Sequence, residues 1–157
     1  MSGEIGLISD THGLVRPGVH TALAGVALIL HAGDVGGDEV LDELELIAPV
    51  RAVYGNTDPR DHRGLKDSID MVINGLRVHV SHGHELRRPT PELLAATYHA
   101  DVIVYGHTHR QLVERIGNVL VVNPGAAGAR RFDLEPSVAR LRIDGGTASV
   151  TFVPLED

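Results

Sequence analysis

Five times along the chain, a short apolar run breaks off into Asp, Asn or His beside a small residue. Ile5–Ile8 leads into Ser9, Asp10 and His12, Val26–Leu30 into Gly33 and Asp34, and Val50–Tyr54 into Gly55, Asn56 and Asp58. Leu76–Ser81 leads into His82, Gly83 and His84, and Val102–Tyr105 into Gly106, His107 and His109. Apolar runs this short, bounded by turn residues, read as buried strands. Polar residues thus collect where strands end. In open α/β sheets that is where the ligand site lies, at the carboxyl ends of the strands. The glycines beside these groups are expected to let the backbone turn sharply near a ligand.

The segments between the runs change period. Pro17–Leu23 reads as a helix with Pro in its first turn. Asp38–Ile47 places Val40, Leu41, Leu44 and Ile47 on one face, with Gly37 or Asp38 as its cap. Residues 59–68 are polar and charged and read as a surface loop. Beyond them, Asn74-Gly75, Gly117-Asn118 and Asp144-Gly145-Gly146 each separate two apolar runs, which is a hairpin signal. Pro91–Tyr98 reads as a third helix, and Pro124–Pro136 is the longest irregular stretch of the second half. Strands alternate with helices early and pair as hairpins later. This predicts an α/β fold of two mixed sheets packed face to face, with helices outside. A length of 157 residues is that of one domain, expected over 1–157.

Composition narrows the function. Aromatic residues are 3% of the chain, too few for the base-stacking platforms of a single-strand nucleic-acid binder. The net charge of −7 is opposite to that of a sequence-independent DNA binder. No apolar run reaches the roughly 18 residues of a membrane span. No basic region followed by an apolar stretch opens the chain, so a cytoplasmic location is expected. There is no cysteine, which removes disulfides, thiolate metal sites and thiol nucleophiles. There are ten His, and any metal must sit on His, carboxylate or amide ligands.

Asp10/His12 and His107/His109 are two residues apart, and on extended backbone such pairs face the same side. Imidazole and carboxylate donors suit Mn, Fe, Zn and Ni better than Ca or Mg. Donors from five loops exceed what one four-coordinate ion needs. They point to two divalent ions sharing a carboxylate, the arrangement used for phosphoryl transfer.

In these blocks the chain resembles the calcineurin-like metallophosphoesterase superfamily. They run in order as Asp10-Thr-His12, Gly33-Asp34, Gly55-Asn56-Thr-Asp58, His82-Gly-His84 and Gly106-His107-Thr-His109. The length, the His82-Gly83-His84 form and Asn123-Pro124-Gly125 resemble its small YfcE-like phosphodiesterase branch. The resemblance implies a four-layer α/β/β/α sandwich. It also implies that Asp10, His12 and His109 hold one ion, that Asn56, His82 and His107 hold the other, and that Asp34 bridges them. The nucleophile it implies is a hydroxide held between the ions. Manganese is the expected ion, with nickel, iron or zinc accepted by the same donors.

One position departs from the family pattern. Many members have His after the block's Asn, as leaving-group acid or phosphate ligand, and here it is Thr57. His84 or water is the expected replacement acid, and Asp58 is expected to orient a ligand or a loop. Arg110, Arg130 and Arg131 suit phosphate but equally suit a solvated surface. His20, His62, His79 and His99 read as structural or exposed, and His31 as a core residue or a buttress of Asp34.

The expected activity is a phosphodiesterase acting on a small phosphate ester, with no sequence-specific nucleic-acid binding and no membrane. A phosphomonoesterase, a nucleotide pyrophosphohydrolase or a non-catalytic scaffold like the retromer subunit of this fold are the alternatives. Apolar residues near Val113–Val122 offer a homodimer surface.

Overall fold

The computed structural model describes residues 3–62, 64–130 and 133–155. Three short strands, β1 (Ile5–Ile8), β2 (Leu28–His31) and β3 (Val50–Val53), lie side by side and parallel. Helix α1 (Pro17–Ala22) connects the first pair and α2 (Asp38–Glu45) the second. Their carboxyl ends therefore share one edge, and that edge carries Asp10, Asp34 and Asn56. On the other side of β1, the long hairpin of β10 (Ser137–Asp144) and β11 (Thr147–Pro154) adds antiparallel. The sixth strand, β4 (Leu65–Lys66), pairs parallel to β3. It lies inside the stretch expected to be a loop. Leu65 is buried and its backbone caps the open edge of β3, so two residues suffice where no periodicity is visible.

The second sheet has the order β5 (Ile69–Ile73), β6 (Leu76–Val80), β7 (Val102–Val104), β9 (Val119–Asn123), β8 (Leu112–Ile116). Its central three strands are parallel and the outer two antiparallel, so both sheets are mixed, as expected. All three hairpin turns fall where the sequence places them.

Strand alternation sorts the apolar side chains. Ile5, Leu7, Leu28, Leu30, Val78, Val80, Val102, Val104, Leu120 and Val122 fill the space between the sheets. On the outer face of the first sheet, Ile8, Ile29 and Ala52 meet Val19, Leu23, Val40 and Leu44 from the α1 and α2 segments. On the outer face of the second, Ile103, Tyr105 and Val121 meet Leu94 of α3 (Pro91–Thr97). The result is the expected four-layer α/β/β/α sandwich. Pro91 opens α3, and the Thr90 side chain accepts the Leu93 N–H at its N-terminus. α2 stops two residues short of the expected Ile47, because Leu46 and Ile47 tighten to i→i+3 bonds ahead of Pro49. Among the described residues no helix is long and apolar enough to cross a membrane.

Candidate metal centre

The carboxyl ends of β1–β3 and of β6–β7 meet at a seam between the two sheets. A direct link across it is the 2.7 Å contact from His82 Nδ1 to the Ala32 carbonyl. A carbonyl only accepts, so Nδ1 carries a proton, and Nε2 is the nitrogen whose lone pair a metal would take.

Two groups of candidate ligands overlap here. Asp10, His12 and His109 form one, and Asp10, Asp34 and His82 the other. Asp10 Oδ1 is the common atom, lying 3.3 Å from His109 Nε2, 3.7 Å from His12 Nε2 and 3.8 Å from His82 Nε2. Asp34 Oδ2 lies 3.3 Å from His82 Nε2 and 3.5 Å from His12 Nε2. Asn56 Oδ1 is 3.2 Å from His82 Nε2. His107 stands just outside both groups, its ring 5.2 Å from that of His82. His84 is farther out, 5.3 Å from His82 and 6.4 Å from His107, ring to ring.

The paired donors do not reach one another along extended backbone, contrary to the expectation from their spacing. Asp10, His12, Asp34, His107 and His109 all have φ between 46° and 71°, in the left-handed region. Asp and His are among the few side chains that tolerate it, and such conformations gather at functional sites. Alternate left-handed residues curl each loop so that residues two apart converge on one point.

The glycines divide into two kinds. Gly33 and Gly83 have positive φ and turn the chain, as expected. Gly55 and Gly106 do not; they make room. A Cβ on Gly55 would stand 2.0 Å from Asp34 Oδ1, and one on Gly106 2.0 Å from Ser9 Oγ and 2.6 Å from Asp10 Oδ2.

The other carboxylate oxygens are fully occupied. Ser9 Oγ and the His107 N–H donate to Asp10 Oδ2, at 2.6 and 3.1 Å. The Thr57 N–H and hydroxyl both donate to Asp34 Oδ1, at 3.0 and 2.8 Å. The loop after Asp34 is held by Asp58, whose carboxylate accepts the N–H groups of Val35, Gly36 and Gly55. Asp58 thus ties the segment after Asp34 to the turn that carries Asn56. His31 is buried and spans Thr11 and the Gly33 N–H. The Thr11 hydroxyl donates onward to the Val35 carbonyl, so His31 carries its proton on Nε2. His31 is both a core residue and a support of the Asp34 loop.

Burial would raise the Asp10 carboxyl, but the His109, His12 and His82 imidazoles and the Ser9 hydroxyl hold it far below the usual range. Burial would likewise raise Asp34, but His82 and the two Thr57 donors bring it down to about 2. His82 is raised, because the Asp34 and Asp10 carboxylates outweigh burial. His84 and His107 are lowered by burial and by the charge of His82.

These residues suit a metal. Asp10 Oδ1 is buried and has no hydrogen-bond partner, although three imidazole nitrogens surround it. His109 Nδ1 is also without one. A carboxylate oxygen ringed by nitrogens too distant for good hydrogen bonds is spaced for a cation between them, and the donors are those of a first-row transition ion.

The remaining sequence candidates lie elsewhere. Arg110 shares a groove of about 350 Å³ with His109, Asp133 and Glu135, so acids face it. Arg130 is exposed, and Arg131 lies outside the described residues. His79 stacks on Tyr98 and bonds Asp70 and Ser81, while His20 pairs with Glu43 and His62 with Asp38. A larger groove, about 580 Å³, is at the far end of β1 around Glu4, Asn74 and Arg142, away from this chemistry.

A seam between two mixed sheets, lined with Asp, Asn and His from five strand ends, defines a metallophosphoesterase. The chain belongs to the calcineurin-like phosphoesterase superfamily, whose domain model matches residues 4–146. It is 38% identical to a probable metallophosphoesterase of Methanothermobacter thermautotrophicus over 90% of this chain and 86% of that one. It is 31% identical to the phosphodiesterase MJ0936 of Methanocaldococcus jannaschii over 78% and 82% of the two chains. Among solved structures it resembles Entamoeba histolytica Vps29 complexed with zinc, with TM-score 0.80, 23% identity, and 96% and 98% coverage. That last likeness is one of fold.

Proposed function

We propose that the chain is a phosphodiesterase working through two divalent metal ions. The observation that carries this is the pair of ligand groups overlapping at Asp10, with an unpartnered carboxylate oxygen at the overlap. A similar chain named as a phosphodiesterase supports the choice of reaction. Asp10, His12 and His109 would hold one ion, Asn56, His82 and His107 the other, and Asp34 would be shared. Manganese is the expected ion and the cytoplasm the expected compartment. When bound, such a pair supplies a water acidified towards neutrality and positive charge against the phosphoryl oxygens.

The chain's own residues prepare the rest. Thr57 occupies Asp34 Oδ1 with two donors and so turns Oδ2 towards His12 and His82. Ser9 and the His107 backbone do the same for Asp10, leaving Oδ1 to the imidazoles. The Ala32 carbonyl fixes the His82 tautomer. Thr57 stands where many relatives carry an acid, and its hydroxyl is committed to Asp34. Leaving-group protonation then falls to His84, part-exposed at the rim, its Nδ1 without a hydrogen-bond partner. With Thr57 in place of that acid, esters whose leaving groups need little proton assistance are favoured.

The test uses a chromogenic phosphodiester and the matching monoester. Protein stripped of metal is given manganese in steps, with Asp34→Asn as control. Activity should appear only with metal and vanish in the control, with the diester preferred. Metal binding without turnover of either ester would replace this reading with the scaffold one.

A further inference from the structure

At the rim of the centre a guanidinium rests on an aromatic side chain. Arg60 Cζ lies 5.4 Å from the centre of the Tyr54 ring, and its Nη2 donates to the Tyr54 hydroxyl at 3.2 Å. That hydroxyl donates in turn to Asp67. Tyr54 is buried at the end of β3, directly before Gly55 and Asn56, so the platform is fixed by the strand that feeds the site. Its ring is 6.3 Å from that of His84, which is 5.3 Å from that of His82. The Tyr54 ring therefore stands two ring steps from the candidate ligand His82, and the guanidinium one step beyond Tyr54. Arg60 belongs to their loop. Asp58 pins that loop through three backbone N–H groups, and Pro59 restricts the residue between.

We propose that Arg60, held on Tyr54, forms an anion subsite beside the metal centre that takes a second phosphate of the substrate. The preferred esters then carry a phosphate beyond the scissile one. This rests on the phosphoesterase reading above. Among the described residues no carboxylate lies within 4.0 Å of Arg60, since Asp67 sits behind the Tyr54 hydroxyl. Its unused N–H groups form the planar fork that matches a phosphate. Stacking on Tyr54 orders the long side chain before the ligand arrives, which lowers the cost of binding. In a chain of net charge −7, a cation beside the metal centre also directs anionic substrate to one side of it.

The test compares two esters with the same leaving group, thymidine 5′-(p-nitrophenyl phosphate) and its 3′-phosphorylated form, on the manganese-loaded full chain. The wild type should favour the 3′-phosphorylated ester. Arg60→Gln should raise KM for that ester about five- to tenfold, leave kcat within about twofold, and leave the plain ester unchanged. Arg60→Lys, with the charge but not the fork, should fall between. Equal rates on the two esters in the wild type, or equal effects of Arg60→Gln on both, overturn the subsite. Turnover of neither ester overturns the phosphoesterase reading instead. In that case calorimetric binding of thymidine 3′,5′-bisphosphate decides the subsite: it should weaken in Arg60→Gln, and unchanged affinity overturns it.

Discussion

Replacing Asp58 tests whether one carboxylate holds the Asp34 loop in place. Asp58 is only 8% exposed and accepts three backbone N–H groups. Val35 and Gly55 share Oδ2, both at 2.9 Å, and Gly36 takes Oδ1 at 3.1 Å. A hydrogen bond to a charged group contributes a net ~1.5–3 kcal/mol, and three on one carboxylate fall short of adding. Asp58→Ala should therefore cost about 3–5 kcal/mol, with water reaching some of the abandoned donors. Asp58→Asn behaves differently. Its one oxygen can keep Val35 and Gly55, while its amide turns a donor towards the Gly36 N–H. The cost is then about 2 kcal/mol, a lost bond and a donor facing a donor. The assay is urea unfolding of the metal-free protein at pH 7. With a slope of about 2 kcal/mol/M, the midpoint should fall by roughly 2 M for Ala and roughly 1 M for Asn. The carboxylate account fails if Ala stays within about 0.5 kcal/mol of the wild type, beyond which ordinary surface changes rarely reach. The two-against-one division fails if Asn costs as much as Ala.

Three further outcomes are expected. Gly55→Ala, whose Cβ would lie 2.0 Å from Asp34 Oδ1 in a backbone any residue adopts, should lose manganese binding by calorimetry while keeping its circular dichroism; unaltered binding would show that the room is not needed. Thr57→Val removes the 2.8 Å hydroxyl bond to Asp34 but keeps the N–H, and should lower kcat on a diester about tenfold at saturating metal; an unchanged kcat would place the orienting effect in the backbone alone. Burial lowers His31 to about 4, against the pull of Asp10 and Asp58, so the fold holds it neutral while the unfolded chain titrates near 6.5. Its contribution is complete above pH 6.5 and lost as pH falls towards 4, up to about 3 kcal/mol. The urea midpoint of His31→Gln should depend less on pH across that window, and parallel curves would count against it.

Much of this could be read from residue order. Apolar runs ending in Gly, Asp and His gave the strand ends, and Asn-Gly and Gly-Asn gave the hairpins. Asp10, His12, Asp34, His82 and His109 do come together. What was illegible depends on contacts distant in sequence. Asp10 and His12 looked like neighbours on a pleat, because spacing says nothing of the sign of φ. Leu65–Lys66 becomes a strand only because β3 has an open edge. Gly55 and Gly106 looked like turning points until the carboxylates they accommodate were in view. Thr57 read as a missing acid, and only the fold shows its two donors on Asp34. Arg60 read as loop charge, since nothing local announces that Tyr54 lies beneath it.

Asp10 and His109 confront each other across most of the chain's length. A bond between them would close a loop of roughly 100 residues, and in chain-entropy terms a cross-link of that span restricts the unfolded state by about 4.7 kcal/mol. This protein has no cysteine with which to make one. An ion held by both residues would act as a removable staple. The same atoms that recruit chemistry would then tie the beginning of the chain to a point near its last third, and chelation would loosen the fold as well as silence the site.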